Sequence, residues 1–191
     1  MTTLDIIRHG STHWNKEGRA QGNSNIPLDQ AGLSEAYKLA ERLATENWDL
    51  IYSSDLLRAK QTAEAIEKNI ENIEIYLDPR LREVSGGQIE GTTEDERISK
   101  WGDNWRALDL GIESSDSVKA RAIPFIEEIT YKYPNKNILI VSHGSFIKHL
   151  LKELVPHLSM IESPKNTSIT KIIKIEHGWD SELYNCTVHL D

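Results

Sequence analysis

The chain has 191 residues, a formal net charge of -8, 38% hydrophobic residues and 27% charged ones. That size and balance suit one globular domain over residues 1–191 with a layered core, not a disordered chain. The acidic balance argues against nucleic acid and anionic membrane as partners, so an anionic ligand needs a local basic pocket.

A short apolar run, Leu4 to Ile7, reads as a buried strand that ends in Arg8-His9-Gly10. Residues Ser11 to Asp29 lack periodicity and read as a loop longer than most connectors, a length that is usually functional. A helix follows over about Ala31 to Glu46, with Leu33, Ala36, Tyr37, Ala40 and Leu43 as its buried stripe. Leu50 to Ser53 is a second strand. Ser54 or Asp55 is then expected to cap a helix to about Asn69. Ile73 to Leu77 alternates like an edge strand. Asp78 to Ser115 is irregular, with one or two short helices. Asp116 to Lys132 is helical, and Pro124 should kink or divide it. Asn137 to Val141 is apolar enough for a central parallel strand; it runs into Ser142-His143-Gly144 and a helix to about Leu154. Ser168 to Ile175 and Glu182 to Leu190 read as a terminal antiparallel pair joined through His177 to Asp180. Strands alternating with helices predict a three-layer α/β/α sandwich with a mostly parallel sheet and an antiparallel C-terminal strand.

The single cysteine, Cys186, excludes an internal disulfide and a cysteine-held zinc cluster. No apolar run approaches a membrane span and the first residues lack a signal-peptide pattern, so the sequence reads as cytoplasmic. Three strand ends carry chemistry: His9 after the first, Ser53-Ser54 after the second, His143 after the central one. If these strands are parallel, the three points converge at one edge, where such sheets bind ligands. Arg58 falls in the first turn of its helix, where the dipole disfavours a cation unless an anion lies between them. Arg8 and Arg58 together would offer two planar donor forks to a phosphoryl group.

In these motifs the sequence resembles the histidine phosphatase superfamily, whose best-known branch is the cofactor-dependent phosphoglycerate mutases. Arg8-His9-Gly10 with Thr12, Trp14 and Asn15 is similar to the signature in which the histidine becomes phosphorylated. Gln21-Gly22 and Pro27-Leu28 match the loop that follows. Ser53 to Ala63 is similar to the second motif, with its phosphate-binding arginine at Arg58. Leu81-Arg82-Glu83, Gly87 and Glu90-Gly91 resemble the segment of the acidic proton donor, and Val141 to Gly144 the second histidine motif. Asn166-Thr167-Ser168 and His189-Leu190 are typical of small phosphatase members.

The resemblance implies that His9 is the nucleophile and that Arg8, Arg58 and His143 neutralise the charge on the equatorial oxygens. Glu83 gives and takes the proton, and no metal or other cofactor takes part. Asn15, Gln21, Gly22 and Gly144 would bind substrate, with the amides after Gly144 adding to the cradle. His9 is expected to be neutral and His143 to carry a proton. The chain departs from many relatives with Ser11 in place of glutamate and Asn25 in place of aspartate.

Other phosphate chemistries fail on residues. Gly86 to Gly91 has the glycine spacing of a P-loop, but Thr92 stands where lysine is required. Cys186 is not followed by the arginine that a cysteine phosphatase needs. His9 and His13 sit in a predicted loop, not on the helix that a zinc pair requires. A mutase needs additional cations after the acid, whereas this stretch is acidic, and Glu90, Glu94, Asp95 and Glu96 read as a solvated face. The expected reaction is hydrolysis of a small phosphorylated metabolite, with phosphoglycerate mutase as the alternative and a non-catalytic phospho-ligand module as a more distant one. Specificity is expected to reside in Val84 to Glu113.

Overall fold

The computed structural model describes residues 1–158 and 162–191. Six strands form one sheet: β1 (Thr3–Arg8), β2 (Leu50–Ser53), β3 (Ile75–Leu77), β4 (Asn137–Ser142), β5 (Ile169–Ile175) and β6 (Gly178–Cys186). Their order is β3-β2-β4-β1-β5-β6. The pairs β1/β4, β2/β4 and β2/β3 are parallel, whereas β1/β5 and β5/β6 are antiparallel.

Helices α1 (His13–Glu17), α2 (Gln30–Leu43), α3 (Leu57–Glu67), α4 (Glu94–Trp101), α5 (Ser115–Lys132) and α6 (Gly144–Leu154) complete the fold. Pleat alternation divides the core. Ile138 and Ile140 of β4 face a cluster with Phe125 of α5 and Phe146 of α6, while Leu139 and Val141 face α2 and α3 through Leu39, Leu43, Ala63 and Ile66. Burial on both faces is why β4 is continuously apolar. Phe125 and Phe146 are fully buried; truncating either to alanine would cost about 3–5 kcal/mol. The predicted α/β/α sandwich is the one observed. None of the described helices is long and apolar enough to cross a membrane.

Several local expectations need correction. The stretch from Ser11 to Asp29 contains α1, because Thr12 and Asn15 form a reciprocal capping box. Helix α3 starts at Leu57, and neither Ser54 nor Asp55 is its N-cap. Asn25 reaches over instead, its Oδ1 accepting the Leu57 N–H at 2.7 Å, while Asp55 pairs with both arms of Arg82. Tyr37 of α2 is exposed rather than part of the buried stripe. Pro124 does not divide α5. Both Pro124 and Ala120, the residue that loses a hydrogen-bond donor, face solvent, and the Val118, Ala122, Phe125, Ile126 and Ile129 stripe holds the helix together. The last strand is Gly178–Cys186, so Trp179 and Asp180 pair with Lys174 and Ile173 rather than forming the connection. Asn185 has φ of +50°, the chain leaves the sheet after Cys186, and it ends in a short 3₁₀ turn over Val188–Leu190.

Candidate active site

The β1–β4 register sets Arg8 opposite Ser142, and the β2–β4 register sets Ser53 opposite Val141. His9, Ser54 and His143 therefore leave the sheet side by side, as the parallel arrangement predicts. The rings of His9 and His143 lie 5.1 Å apart between centroids, and both residues are buried.

His9 has a determined tautomer. Nδ1 lies 2.7 Å from the Gly10 carbonyl oxygen, which can only accept, so Nδ1 carries the proton. Nε2 accepts from Arg58 Nε at 3.2 Å and so keeps a lone pair. Burial first, then the charges of Arg58 and Arg8, hold the His9 pKa well below 6.5, so the ring is neutral. His143 is also held well below 6.5, by burial and then by Arg58. The expectation that His143 carries an extra proton is thus corrected. In this cationic, desolvated setting it is neutral and donates through one N–H. Its Nδ1 is buried without a partner among the described residues, as is Nε of Arg8.

Arg58 is fully buried at the second position of α3. Its Nη1 donates to Ser24 O at 2.7 Å and its Nη2 to Gly22 O at 2.8 Å. Burial pushes its pKa down to about 10, which still leaves it charged at neutral pH. The loop that seats Arg58 is itself fastened by Glu90, which accepts from Asn23 N, Gly86 N and Ser24 Oγ. Glu90 is therefore no member of a solvated face. Glu94 accepts from Trp105 and Arg106 and Glu96 from Arg19 at the surface, and Asp95 and Glu96 are exposed as expected. Gly22, at φ of +48°, packs so closely here that a Cβ would stand 2.0 Å from Glu90 Oε1.

Arg8 donates from Nη1 to Pro164 O at 2.6 Å. Gly144 packs close beside it: a Cβ there would lie 3.3 Å from Arg8 Nε, so the guanidinium would have to shift by a few tenths of an ångström. The Arg8-His9 backbone is held by Thr167 N and Asn166 Nδ2, which donate to Arg8 O and His9 O. Asn166 Nδ2 also meets Asn15 Oδ1 at 3.4 Å, which places Asn15 beside the nucleophile strand. Asn15 Oδ1 serves Thr12, so the amide nitrogen is the part of Asn15 that remains for a ligand. Gln21 is buried, and its Oε1 has no partner among the described residues.

The Glu83 side chain lies against the N-terminus of α6. Its carboxylate accepts from Phe146 N at 2.8 Å, Ser145 N at 3.1 Å and Val84 N at 2.9 Å. The amides after Gly144 therefore hold Glu83 and not, as the sequence suggested, a phosphoryl group. Neither neighbouring arginine pairs with Glu83: Arg80 goes to Asp78 and Glu128, and Arg82 to Asp55. Arg121 clamps the backbone of this segment by donating to the carbonyls of Arg80, Arg82 and Glu83, while Glu113 holds its other side. A cavity of about 350 Å³ opens beside Glu83, between Asn23, Arg82, Glu113 and Arg121.

Residues 4–187 match the sequence profile of the histidine phosphatase superfamily (branch 1). The chain belongs to this superfamily. It is 32% identical over 192 residues to a protein of Bacillus subtilis (strain 168) named uncharacterized phosphatase PhoE, across 100% of this chain and 97% of that one. It is 30% identical over 200 residues to a metal-independent phosphoserine phosphatase of Arabidopsis thaliana, across 100% and 84%. Among solved structures, Bacillus stearothermophilus YhfR superposes with a TM-score of 0.89 at 30% identity over the whole of both chains.

Two supports of this histidine phosphatase site were not readable from spacing. Thr62 Oγ1 accepts from Gly10 N and donates to Arg58 O, which ties the nucleophile loop to the arginine helix. Arg121 looks in sequence like any exposed helical cation. Ser11, one of the two departures, donates its N–H to Glu35 Oε2 of α2, so a carboxylate still stands near the nucleophile loop, supplied from elsewhere.

Proposed function

We propose that this histidine phosphatase superfamily protein, as one domain over residues 1–191, hydrolyses small phosphomonoesters through a phosphohistidine on His9. The observation that carries the reading is the buried, unprotonated Nε2 of His9, held against Arg58 with its tautomer fixed by the Gly10 carbonyl. In the first step the Nε2 lone pair attacks phosphorus in line, the bond to the leaving oxygen breaks, and Glu83 protonates that oxygen. In the second step water attacks phosphorus, gives its proton to Glu83, and the P–N bond breaks to return neutral His9. Arg8, Arg58 and the His143 N–H stabilise the charge on the equatorial oxygens, with Asn15 and Gln21 as further donors. Gly22 and Gly144 contribute by their lack of a side chain and by the carbonyl with which Gly22 seats Arg58.

Water as acceptor is favoured by the cavity beside Glu83. Its two arginines are already committed, Arg82 to Asp55 and Arg121 to Glu113, so neither offers a free fork to the second phosphate of a mutase intermediate. The single free cysteine, Cys186, fits a cytoplasmic setting. Hydrolysis of p-nitrophenyl phosphate in EDTA, lost in His9→Ala, is the expected result. Efficient interconversion of 3- and 2-phosphoglycerate with little hydrolysis would replace this reading by the mutase one. No turnover at any pH, with phosphate still bound, would favour a binding module.

A further inference from the structure

We infer that Ser54 is a positioning residue that fixes the tautomer of His143 and thereby aims an N–H, not a lone pair, at the phosphoryl group. Ser54 is fully buried at the end of β2. Its Oγ accepts the Leu56 N–H at 3.3 Å and lies 2.8 Å from His143 Nε2. A hydroxyl has one proton to give, and His143 Nε2 is the acceptor that stands within reach of it. The chain of bonds therefore runs from Leu56 N–H to Ser54 Oγ, and from Ser54 O–H to His143 Nε2. Nε2 is then the unprotonated nitrogen of a neutral ring, and the proton is on Nδ1.

The opposite assignment fails twice. If Nε2 donated to Ser54, the hydroxyl would accept from two donors and its own proton would be buried without an acceptor, at a cost of the kind that folded proteins avoid. Nδ1 would then bring a lone pair into the site, where a phosphoryl dianion would meet repulsion. With Ser54 donating, Nδ1–H and Arg8 Nε are two buried donors without partners among the described residues. Arg8 Nε packs beside Gly144, the residue that follows His143: an added Cβ there would stand 3.3 Å from it. The two histidines thus hold the same tautomer for opposite purposes: His9 offers Nε2 as a lone pair, and His143 offers Nδ1 as a donor. Because Leu56 is the N-cap of α3, the same hydroxyl also ties His143 to the helix that carries Arg58.

The inference rests on the phosphoryl-pocket reading for its purpose, but the tautomer is testable without it. Long-range ¹H–¹⁵N correlation on the histidine-labelled wild-type protein at pH 7 should show His143 with a protonated Nδ1 and an unprotonated Nε2; the reverse pattern overturns the proposal whatever the activity. In Ser54→Ala the His143 pattern should shift toward Nε2–H, and kcat/KM for p-nitrophenyl phosphate should fall about 10- to 100-fold. Ser54→Thr, which keeps the hydroxyl, should retain the wild-type tautomer and most of the rate. A Ser54→Ala protein that loses rate with an unchanged tautomer, or changes tautomer at full rate, refutes the role. Titration with inorganic phosphate separates the two ideas. A shift of His143 Nδ1–H with phosphate supports both, and no response of either histidine would fault the pocket reading while leaving the tautomer result intact.

Discussion

Asp5 offers a quantitative test of the electrostatics beneath the site. It lies on β1, three residues before Arg8, and is almost completely buried. Its Oδ1 has no hydrogen-bond partner among the described residues, and its Oδ2 is 3.7 Å from Lys171 Nζ, which is shared with Glu46 at 3.3 Å. Burial raises its pKa from 3.8 to about 7, with Glu46 adding to the rise and Lys171 and Arg42 opposing it. The folded protein thus keeps a proton that the unfolded chain releases above about pH 4. Stability from this group is full below that point and declines as the pH rises to about 7, where the folded carboxyl ionises too. A rise of about three pKa units corresponds to about 4 kcal/mol over the whole range, of which about 2–3 kcal/mol falls between pH 5 and pH 8. An amide side chain cannot ionise, so Asp5→Asn removes this slope. Urea unfolding of both proteins should show the stability of the variant relative to wild type growing by about 2–3 kcal/mol from pH 5 to pH 8. Asp5 does not reach the histidines, so kcat at pH 7 should change little. A constant gap across that pH range would refute the assignment of a protonated carboxyl beneath the site.

Other perturbations address the site itself. Arg58→Lys loses the Nε–H that meets His9 and the fork that spans Ser24 O and Gly22 O; kcat/KM should fall about 10²- to 10³-fold in a protein whose circular dichroism is unchanged. Because both histidines are held well below 6.5, kcat/KM should not lose activity through histidine protonation as the pH falls from 7 to 6, and an acid limb centred at 6.5 would contradict this. Glu90→Ala strands two backbone donors and a hydroxyl in the loop that seats Arg58. It should lower stability by about 1–3 kcal/mol in chemical denaturation and reduce kcat/KM together with it. Gly32→Ala would put a Cβ 2.0 Å from Ser11 O, so α2 must move away from the nucleophile loop; the expected loss is about 1–3 kcal/mol, measured by thermal unfolding.

The strands were legible because periodicity reports burial, and β4 is buried on both faces. The strand-end histidines were legible because parallel topology turns adjacent strand ends into one site. What the sequence hid was long-range polar bonding. Asn25 capping α3 from 32 residues away has no local signature, and neither has Glu90 fastening the loop beneath Arg58. Glu83 was placed by motif, but its partners were not: helix amides expected to bind phosphate bind the carboxylate. The charge state of His143 is not legible in the sequence, which shows which cations are present but not that two of them share a desolvated space with the ring. Pro124 leaves α5 undivided because a helix breaker costs less where the orphaned carbonyl reaches water.

The central claim is a covalent bond between His9 Nε2 and phosphorus, and rapid quenching tests it most directly. Mixing the enzyme with a ³²P-labelled monoester and quenching in alkali within milliseconds should trap label on the protein that survives base and is released by mild acid. It should map to His9 and be absent from His9→Ala. Turnover by the wild-type enzyme with no such label, or with label on another residue, would contradict the account.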